Sequence, residues 1–124
     1  MENERIIREY VKYYNEFDID KMLALMTDDV CFENIMNGET DVKTTNIAEL
    51  EQIAGISLNI FSEREQTIKS IKTEGDCYIA EIDYYGRIAE NLPNGLKQGD
   101  EIRLSGKSIY KFRDGKICSL TDIS

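Results

Sequence analysis

The hydrophobic period of the chain changes within residues 10–34, which read YVKYYNEFDIDKMLALMTDDVCFEN. Before and at the start of this stretch, apolar residues recur at the three- and four-residue steps of a buried helical stripe: Ile7, Tyr10, Val11, Tyr14 and Phe17. From Val30 the period becomes two, which indicates a strand. The stretch therefore predicts a helix over 3–16, a short second helix over 22–26, and then a strand.

The remainder of the chain predicts a third helix and four more strands. Asn46 and Glu49 have the spacing of a capping box, and apolar residues continue at helical steps after them. Four period-two segments follow, separated by turn signals such as Asp-Gly: 64–73, 76–90, 100–113 and 116–123. Because their alternation leaves one face polar, the helices are expected to pack on the other face of a curved antiparallel or mixed sheet. The expected α+β order is α-α-β-α-β-β-β-β, with a loop through Asn37-Gly38 before the third helix.

The composition limits the classes of function that fit this chain. Its 124 residues are 41% hydrophobic, which is enough for one packed domain over 1–124. Its 24 acidic and 15 basic residues give a net charge of -9, which disfavours nucleic acid and anionic membranes as partners. The sequence has no histidine, so acid–base chemistry would use carboxylates, tyrosines and lysines.

The cysteine and apolar patterns predict a cytoplasmic protein without a cofactor. Cys31, Cys77 and Cys118 are odd in number and lie in apolar stretches, which is typical of buried free thiols in a reducing compartment. The longest apolar run, Met22–Met26, is far too short for a signal-peptide core or a membrane span. No glycine-rich phosphate loop and no spacing of metal ligands is present, so we expect neither a nucleotide nor a metal site. The charged cluster at 63–65 is expected to be a solvated strand end.

Three segments carry a resemblance to a known family: the helical opening Tyr10–Met26, the following Thr27–Asn34, and the ending Tyr110–Ile117. Together they resemble the nuclear-transport-factor-2-like superfamily, which includes SnoaL-like polyketide cyclases, ketosteroid isomerases and limonene-epoxide hydrolases. The resemblance spans nearly the whole chain and implies a cone-shaped α+β half-barrel with a pocket between the helices and the sheet. Because this fold also serves as a non-catalytic binding module, function has to be argued from the site.

The resemblance to the ketosteroid isomerases assigns roles to three positions. Those enzymes have a tyrosine in helix one within a Tyr-Val-x-x-x-Asn-x-x-Asp context, which Tyr10–Asp18 matches. The family's base position falls on Asn34 and its second donor position on Ser108. An asparagine cannot accept a substrate proton at neutral pH, so the isomerase mechanism does not transfer as it stands.

Another carboxylate, Asp122, is a candidate to replace the missing base. The ending Gly-Lys-Ile117 is similar to the strand that carries a catalytic aspartate in the epoxide hydrolases and cyclases, although their Arg-Asp-Tyr setting is absent here. Alternation does not decide which way Asp122 points, because both sets of alternate residues in 117–124 are mixed. Glu81 and Asp83 fall on the polar face of their strand, where exposure to solvent is expected.

The sequence thus leaves two classes of function open. The favoured one is a ligand-binding or assembly module whose apolar pocket binds a small hydrophobic ligand without chemistry. The alternative is an isomerase, cyclase or hydrolase that acts on a small hydrophobic carbonyl or polycyclic substrate. The candidate catalytic residues are Tyr10 and Asp122, and the candidate ligand-binding residues are Tyr14, Asn34, Ser108 and Tyr110. Asparagine at the base position favours binding slightly.

A homodimer is also implied, because small members of the superfamily commonly pair through the outer face of the sheet. On that face the strand pattern places Ile79, Tyr85 and Ile109 among charged residues. An apolar patch that joins adjacent strands would normally be covered, and opposite charges can pair across a two-fold axis. We therefore expect these three residues to lie in the dimer interface.

We expect no appreciable Δ5-ketosteroid isomerase activity from the natural sequence, because Asn34 cannot act as the base. Asn34→Asp should produce some activity, since a general base contributes about 10²–10⁴-fold. A spectrophotometric steroid assay of both proteins checks this. Robust isomerisation by the natural sequence would contradict the assignment of the base position.

Overall fold

Three helices form where the periodicity predicts them in the computed structural model, which describes residues 2–124. They are α1 (Glu2–Asn15), α2 (Ile19–Ala24) and α3 (Ile47–Ile60). Asp18 caps α2 by accepting a hydrogen bond from the Lys21 amide at 3.2 Å, and Asn46 caps α3 by accepting one from the Glu49 amide at 2.9 Å. These bonds satisfy amides that have no partner within the helix.

Six strands form one mixed sheet: β1 (Met26–Met36), β2 (Glu39–Thr44), β3 (Phe61–Glu74), β4 (Cys77–Ile88), β5 (Glu101–Arg113) and β6 (Lys116–Ile123). Their order across the sheet is β2-β1-β6-β5-β4-β3, and only the β1–β6 pair is parallel. The α+β class and the curved, unclosed sheet with three helices on one face are confirmed. The hydrophobic core lies between the helices and that face.

Strand β2 was not predicted, and the expected loop is a tight hairpin turn instead. Asn37 and Gly38, with φ of 53° and 80°, join β1 to β2. Residues 39–44 contain a single apolar residue, Val42, so they show no hydrophobic alternation. Edge strands are often polar, because only one of their sides pairs with the sheet. Strand β1 also begins at Met26 rather than at Val30, because α2 begins and ends earlier than expected, at Ile19 and Ala24.

Gly106 allows the C-terminal end of β6 to approach β5 closely. A Cβ atom at this position would lie 2.2 Å from the Ile123 carbonyl oxygen, a separation that real side chains do not reach. Any other residue would push the two backbones apart where the sheet curves. The glycine therefore helps to shape the end of the sheet that carries Asp122.

The three cysteines are free, as expected, but the expectation that they are buried was wrong. Cys31 is exposed, while Cys77 and Cys118 are partly exposed. Strand alternation turns Cys31 away from the core, because its neighbour Val30 is fully buried. None of the helices within residues 2–124 is long and apolar enough to cross a membrane.

Candidate functional site

Asp122 faces the helices because β6 contains a bulge. The pairing of β5 with β6 shifts by one residue at Cys118, which has no partner on β5. An extra residue reverses the alternation of a strand, so Ile117 and Leu120 both lie in the core although they differ in parity. Asp122, two residues after Leu120, points to the same side. The bulge explains why alternation alone could not place this aspartate.

The Asp122 carboxyl is held inside the fold by Ser108. The two residues are register partners, and Ser108 Oγ donates a hydrogen bond to Asp122 Oδ1 at 2.7 Å. Asp122 as a whole residue is half-buried, and its side chain lies on the face of the sheet that the helices cover. Burial raises the pKa of Asp122 to about 6, and the Ser108 hydrogen bond opposes this rise. Such a carboxyl is mostly ionised at neutral pH and well matched to accept a proton.

Two buried tyrosines lie beside this carboxyl. The rings of Tyr10 on α1 and Tyr110 on β5 meet edge-on, with their centroids 6.0 Å apart. Burial, and next the negative charge of Asp122, raises the pKa of both hydroxyls well above the usual range. Both therefore remain protonated donors at neutral pH. The Tyr110 hydroxyl is buried beside Ser108, whose hydrogen bond opposes the rise of its pKa.

Tyr14 and Tyr84 extend these rings into a row, which we call the tyrosine row: Tyr110, Tyr10, Tyr14 and Tyr84. The Tyr14 ring lies 6.4 Å from that of Tyr10 and 6.4 Å from that of Tyr84. The Tyr14 hydroxyl donates to the Tyr84 hydroxyl at 3.4 Å. The sequence analysis did not select Tyr84 as a site residue, although its parity with the buried Ile82 was the available signal.

Arg64 is buried, which corrects the expectation that the charged cluster at 63–65 is a solvated strand end. Only 5% of Arg64 is exposed, whereas Glu63 and Glu65 are exposed on either side of it. Alternation along β3 turns this one residue of the cluster toward the helices. Its guanidinium carbon lies 3.8 Å from the centroid of the Tyr14 ring. Arg64 therefore belongs to the surroundings of the tyrosine row.

Asn34 stands at the edge of the site rather than within it. It is the register partner of Asp122 on β1, but its Nδ2 donates to Asp41 Oδ2 at 3.3 Å. Asp41 is the extra residue of a second bulge, between β1 and β2, which lets it reach the Asn34 side chain. Asn34 is only half-buried. Of the six candidate residues, the structure brings the other five together: Tyr10, Tyr14, Ser108, Tyr110 and Asp122.

Two clefts of about 420 and 410 Å³ lie on the outside of the molecule, away from the tyrosine row. The first follows the exposed side of α1, between Glu4 and Lys12. The second lies on the outer face of the sheet, beside the exposed Glu81 and Asp83. Both clefts are lined by charged side chains. The apolar pocket that the resemblance implies therefore stays a prediction.

The family follows from a comparison of the sequence with known domains. Residues 7–120 match the sequence profile of the SnoaL-like domain. The chain belongs to the SnoaL-like family. No curated protein matches this SnoaL-like chain significantly.

Solved structures agree with the fold of this SnoaL-like protein. A Xanthomonas campestris pv. campestris protein named as a polyketide cyclase is 20% identical, with 99% of this chain and 90% of that one covered and a TM-score of 0.84. A cystatin-fold protein from Novosphingobium aromaticivorans is 15% identical over 100% and 99%, with a TM-score of 0.78. An epoxide hydrolase from M. tuberculosis is 16% identical over 98% and 81%, with a TM-score of 0.77. At these identities the structures show the fold alone, and the expected superfamily is confirmed.

Asp122 should make the folded protein less stable at neutral pH than at pH 4. Its pKa of about 6 in the folded state lies above that of an unfolded aspartate, near 3.9. The folded state therefore binds more protons between about pH 4 and pH 6, and the free energy of unfolding falls as the pH rises through this window. The loss reaches at most about 3 kcal/mol. Asp122→Asn should remove it and unfold at higher urea than the natural protein at pH 7.

Urea unfolding at pH 4 and pH 7 checks this expectation. The gain from Asp122→Asn should nearly vanish at pH 4, where the natural carboxyl is itself protonated. Asp28→Asn is the matched control, because Asp28 is exposed on β1 and its charge costs little. An equal effect of Asp122→Asn at both pH values would contradict the burial of an ionised carboxylate.

Proposed function

We propose that this SnoaL-like protein is an acid–base enzyme that transfers a proton on a small hydrophobic carbonyl compound. The observation that carries the proposal is the Asp122 carboxyl, which Ser108 holds on the same side of the sheet as the buried Tyr110 and whose pKa burial raises to about 6. A base works best when its pKa lies near the working pH, and this carboxyl meets that condition without any histidine. The site therefore favours catalysis over simple binding.

Each group in the site has a role in such a reaction. Asp122 removes a proton from the carbon next to the substrate carbonyl. The electron pair of the C–H bond forms a C=C bond, and the π pair of the carbonyl moves onto its oxygen to give an enolate. The hydroxyls of Tyr110 and Tyr10 donate hydrogen bonds to the developing negative charge. In an isomerase, Asp122 then returns the proton to another carbon of a conjugated enolate. In a cyclase, the enolate carbon attacks a second carbonyl, whose oxygen takes the proton back from Asp122. Ser108 positions the carboxyl throughout.

The surroundings of the carboxyl support a hydrophobic substrate. Tyr10 and Tyr110 belong to the same buried cluster as Val11, Ile82 and Leu120. These apolar side chains exclude water, which strengthens hydrogen bonds to a developing charge. The Asn34 position does not weaken the proposal, because the carboxylate of Asp122 lies in register with it on the neighbouring strand.

Ligand binding without catalysis is the second candidate, and the packing of the tyrosine row favours it. The four rings contact one another between the helices and the sheet, and the two outer clefts do not reach them. A site that opens only to accept a ligand suits a carrier as well as an enzyme. The two functions differ in one respect that can be measured: only the enzyme needs an ionised Asp122.

A carbon-acid probe tests this requirement without knowledge of the natural substrate. 5-Nitrobenzisoxazole opens its ring when a base removes one C–H proton, and the phenolate product is coloured. We expect catalysed ring opening to fall as the pH drops below about 6, because Asp122 becomes protonated. Asp122→Asn should lose about 10²-fold or more of the rate. Ser108→Ala should keep activity but shift the acid limb to higher pH, since the Ser108 hydrogen bond lowers the pKa of Asp122.

Asp28→Asn is the control in this assay as well and should leave the profile unchanged. A rate that survives Asp122→Asn, or an acid limb that Ser108→Ala does not move, would contradict the role of Asp122. Binding of hydrophobic dyes with no proton abstraction at any pH would instead support the carrier.

We further propose that the protein forms a homodimer through the outer face of the sheet. Ile79 and Ile109 are register partners there and are only half-buried. Six residues further along the same two strands, the Arg103 guanidinium stacks on the Tyr85 ring at 4.7 Å. Such a mixed apolar and charged patch can pair with itself across a two-fold axis.

Sedimentation at micromolar concentration should give about twice the chain mass of 14.3 kDa. Ile109→Glu should yield monomers, because it places a charge in the centre of the apolar patch. Ile56→Glu is the matched control, since Ile56 on α3 is 59% exposed and lies away from the outer face. A natural protein that sediments as a monomer would contradict the dimer.

A further inference from the structure

We propose that Arg64 binds a carboxylate of the ligand, so that the substrates are hydrophobic keto acids. This inference deepens the proposed function: Asp122 would act at the carbonyl end of the molecule and Arg64 would hold its acid end. Binding of the carboxylate does not itself require catalysis. The two ideas can therefore fail separately.

Two of the three guanidinium nitrogens of Arg64 bind the protein. Nε donates to the Tyr14 carbonyl oxygen at 3.0 Å, and Nη1 donates to Ser57 Oγ at 3.1 Å. Both partners lie in the last turns of helices, α1 and α3, where the backbone carries partial negative charge. The rings of Tyr14 and Phe17 lie 3.8 and 4.5 Å from the guanidinium carbon. These contacts fix the orientation of the side chain.

The third nitrogen, Nη2, is buried and has no hydrogen-bond partner among residues 2–124. No carboxylate in this part of the chain forms an ion pair with Arg64. An arginine stays charged even when buried, and a buried charge is normally paired with an opposite one. The missing partner is therefore an anion that the chain does not supply.

The neighbours of Arg64 leave it in an aromatic corner of the site. Its register partner on β4 is Gly86, which has no side chain. A Cβ at Gly86 would lie 3.0 Å from the Phe61 ring and 3.3 Å from the Tyr84 hydroxyl, so these groups occupy the space beside the glycine. The Tyr84 hydroxyl, which already contacts that of Tyr14, is a second donor at this corner. A guanidinium and a phenol hydroxyl together suit the two oxygens of a carboxylate.

Arg64 and Asp122 lie beside different members of the tyrosine row. Arg64 stacks on Tyr14, whereas Asp122 acts on Tyr110, and the rings between them are separated by steps of 6.4 and 6.0 Å. Both charges act on the Tyr10 hydroxyl between them, with opposite signs. A keto acid fits this polarity, because its acid would meet the cation and its carbonyl would lie next to the base and the Tyr110 hydroxyl.

The net negative charge of the chain opposes the binding of anions, so a preference for an anion would point to a local cation. At -9 the protein repels anions in general, so tight binding of a carboxylate requires a local cation. A buried pair is also screened far less by salt than a surface pair. Binding through Arg64 should therefore persist at high ionic strength, whereas binding through exposed lysines should not.

The experiment compares 2-naphthoate with its neutral counterpart 2-naphthamide by titration calorimetry on the natural protein. We expect naphthoate to bind about tenfold more tightly or better, and the preference to hold in 0.5 M NaCl. Arg64→Gln should abolish the preference, because it lowers the affinity for naphthoate while the affinity for naphthamide changes little. Arg64→Lys keeps the charge without the planar fork and should retain part of the preference. Arg8→Gln, at an exposed arginine of α1, is the matched control.

Several outcomes would overturn the inference. These are equal affinity for the two probes, no binding of either probe at millimolar concentration, a preference that disappears in salt, and a preference that survives Arg64→Gln. If Arg64→Gln does not fold, the affinities of the two probes for the natural protein and for Arg64→Lys still test whether Arg64 binds the carboxylate. Asp122→Asn should keep the preference although it loses proton abstraction. Suppose that Asp122→Asn loses proton abstraction but the natural protein shows no preference for naphthoate. The proposed function would then stand, and this inference alone would be refuted.

Discussion

The bulge at Cys118 in β6 is the constraint on which the site depends. It shifts the alternation of the strand by one residue, so that Ile117 fills the core at one end and Asp122 enters the interior at the other. Without it, one of these two side chains would face the outer surface. The Ser108 hydroxyl then meets the carboxyl across the β5–β6 ladder. One local irregularity therefore accounts for a buried acid in a sheet whose remaining acids lie outside or at the rim.

The interior holds two charges that are compensated in different ways. Asp122 has a single hydrogen bond from Ser108 and responds to burial with a raised pKa. Arg64 cannot lose its proton easily, so it is stabilised by the Tyr14 carbonyl, the Ser57 hydroxyl and aromatic rings. Both arrangements reduce the stability of the fold compared with apolar residues of similar size. Groups that reduce stability in this way are common at functional sites, where the same features are useful to a ligand.

The position of the acid shows how one fold can change its chemistry. The resemblance to ketosteroid isomerases places the base on β1, where this chain has Asn34. The carboxylate lies instead one strand away, at the register partner Asp122. Register partners on neighbouring strands place their side chains next to each other on the same face of the sheet. A base can therefore occupy either strand without a change in the helices that cover that face. In the proposed mechanism, Tyr10 on α1 serves either position.

The sequence by itself determined the helices, five of the six strands and the α+β class, because these follow from local periodicity, capping residues and turn chemistry. The family followed instead from the resemblance of three segments to known members. It also predicted that Ser108 and Tyr10 point inward, since both lie in segments of regular alternation or helical stripe. Only the tertiary structure decided the polar edge strand β2, the burial of Arg64 and the side on which Asp122 lies. A bulge and an edge strand are defined by their pairing with neighbouring strands, and a charged residue is buried only when other elements supply its partners. None of these conditions is local to the residues concerned.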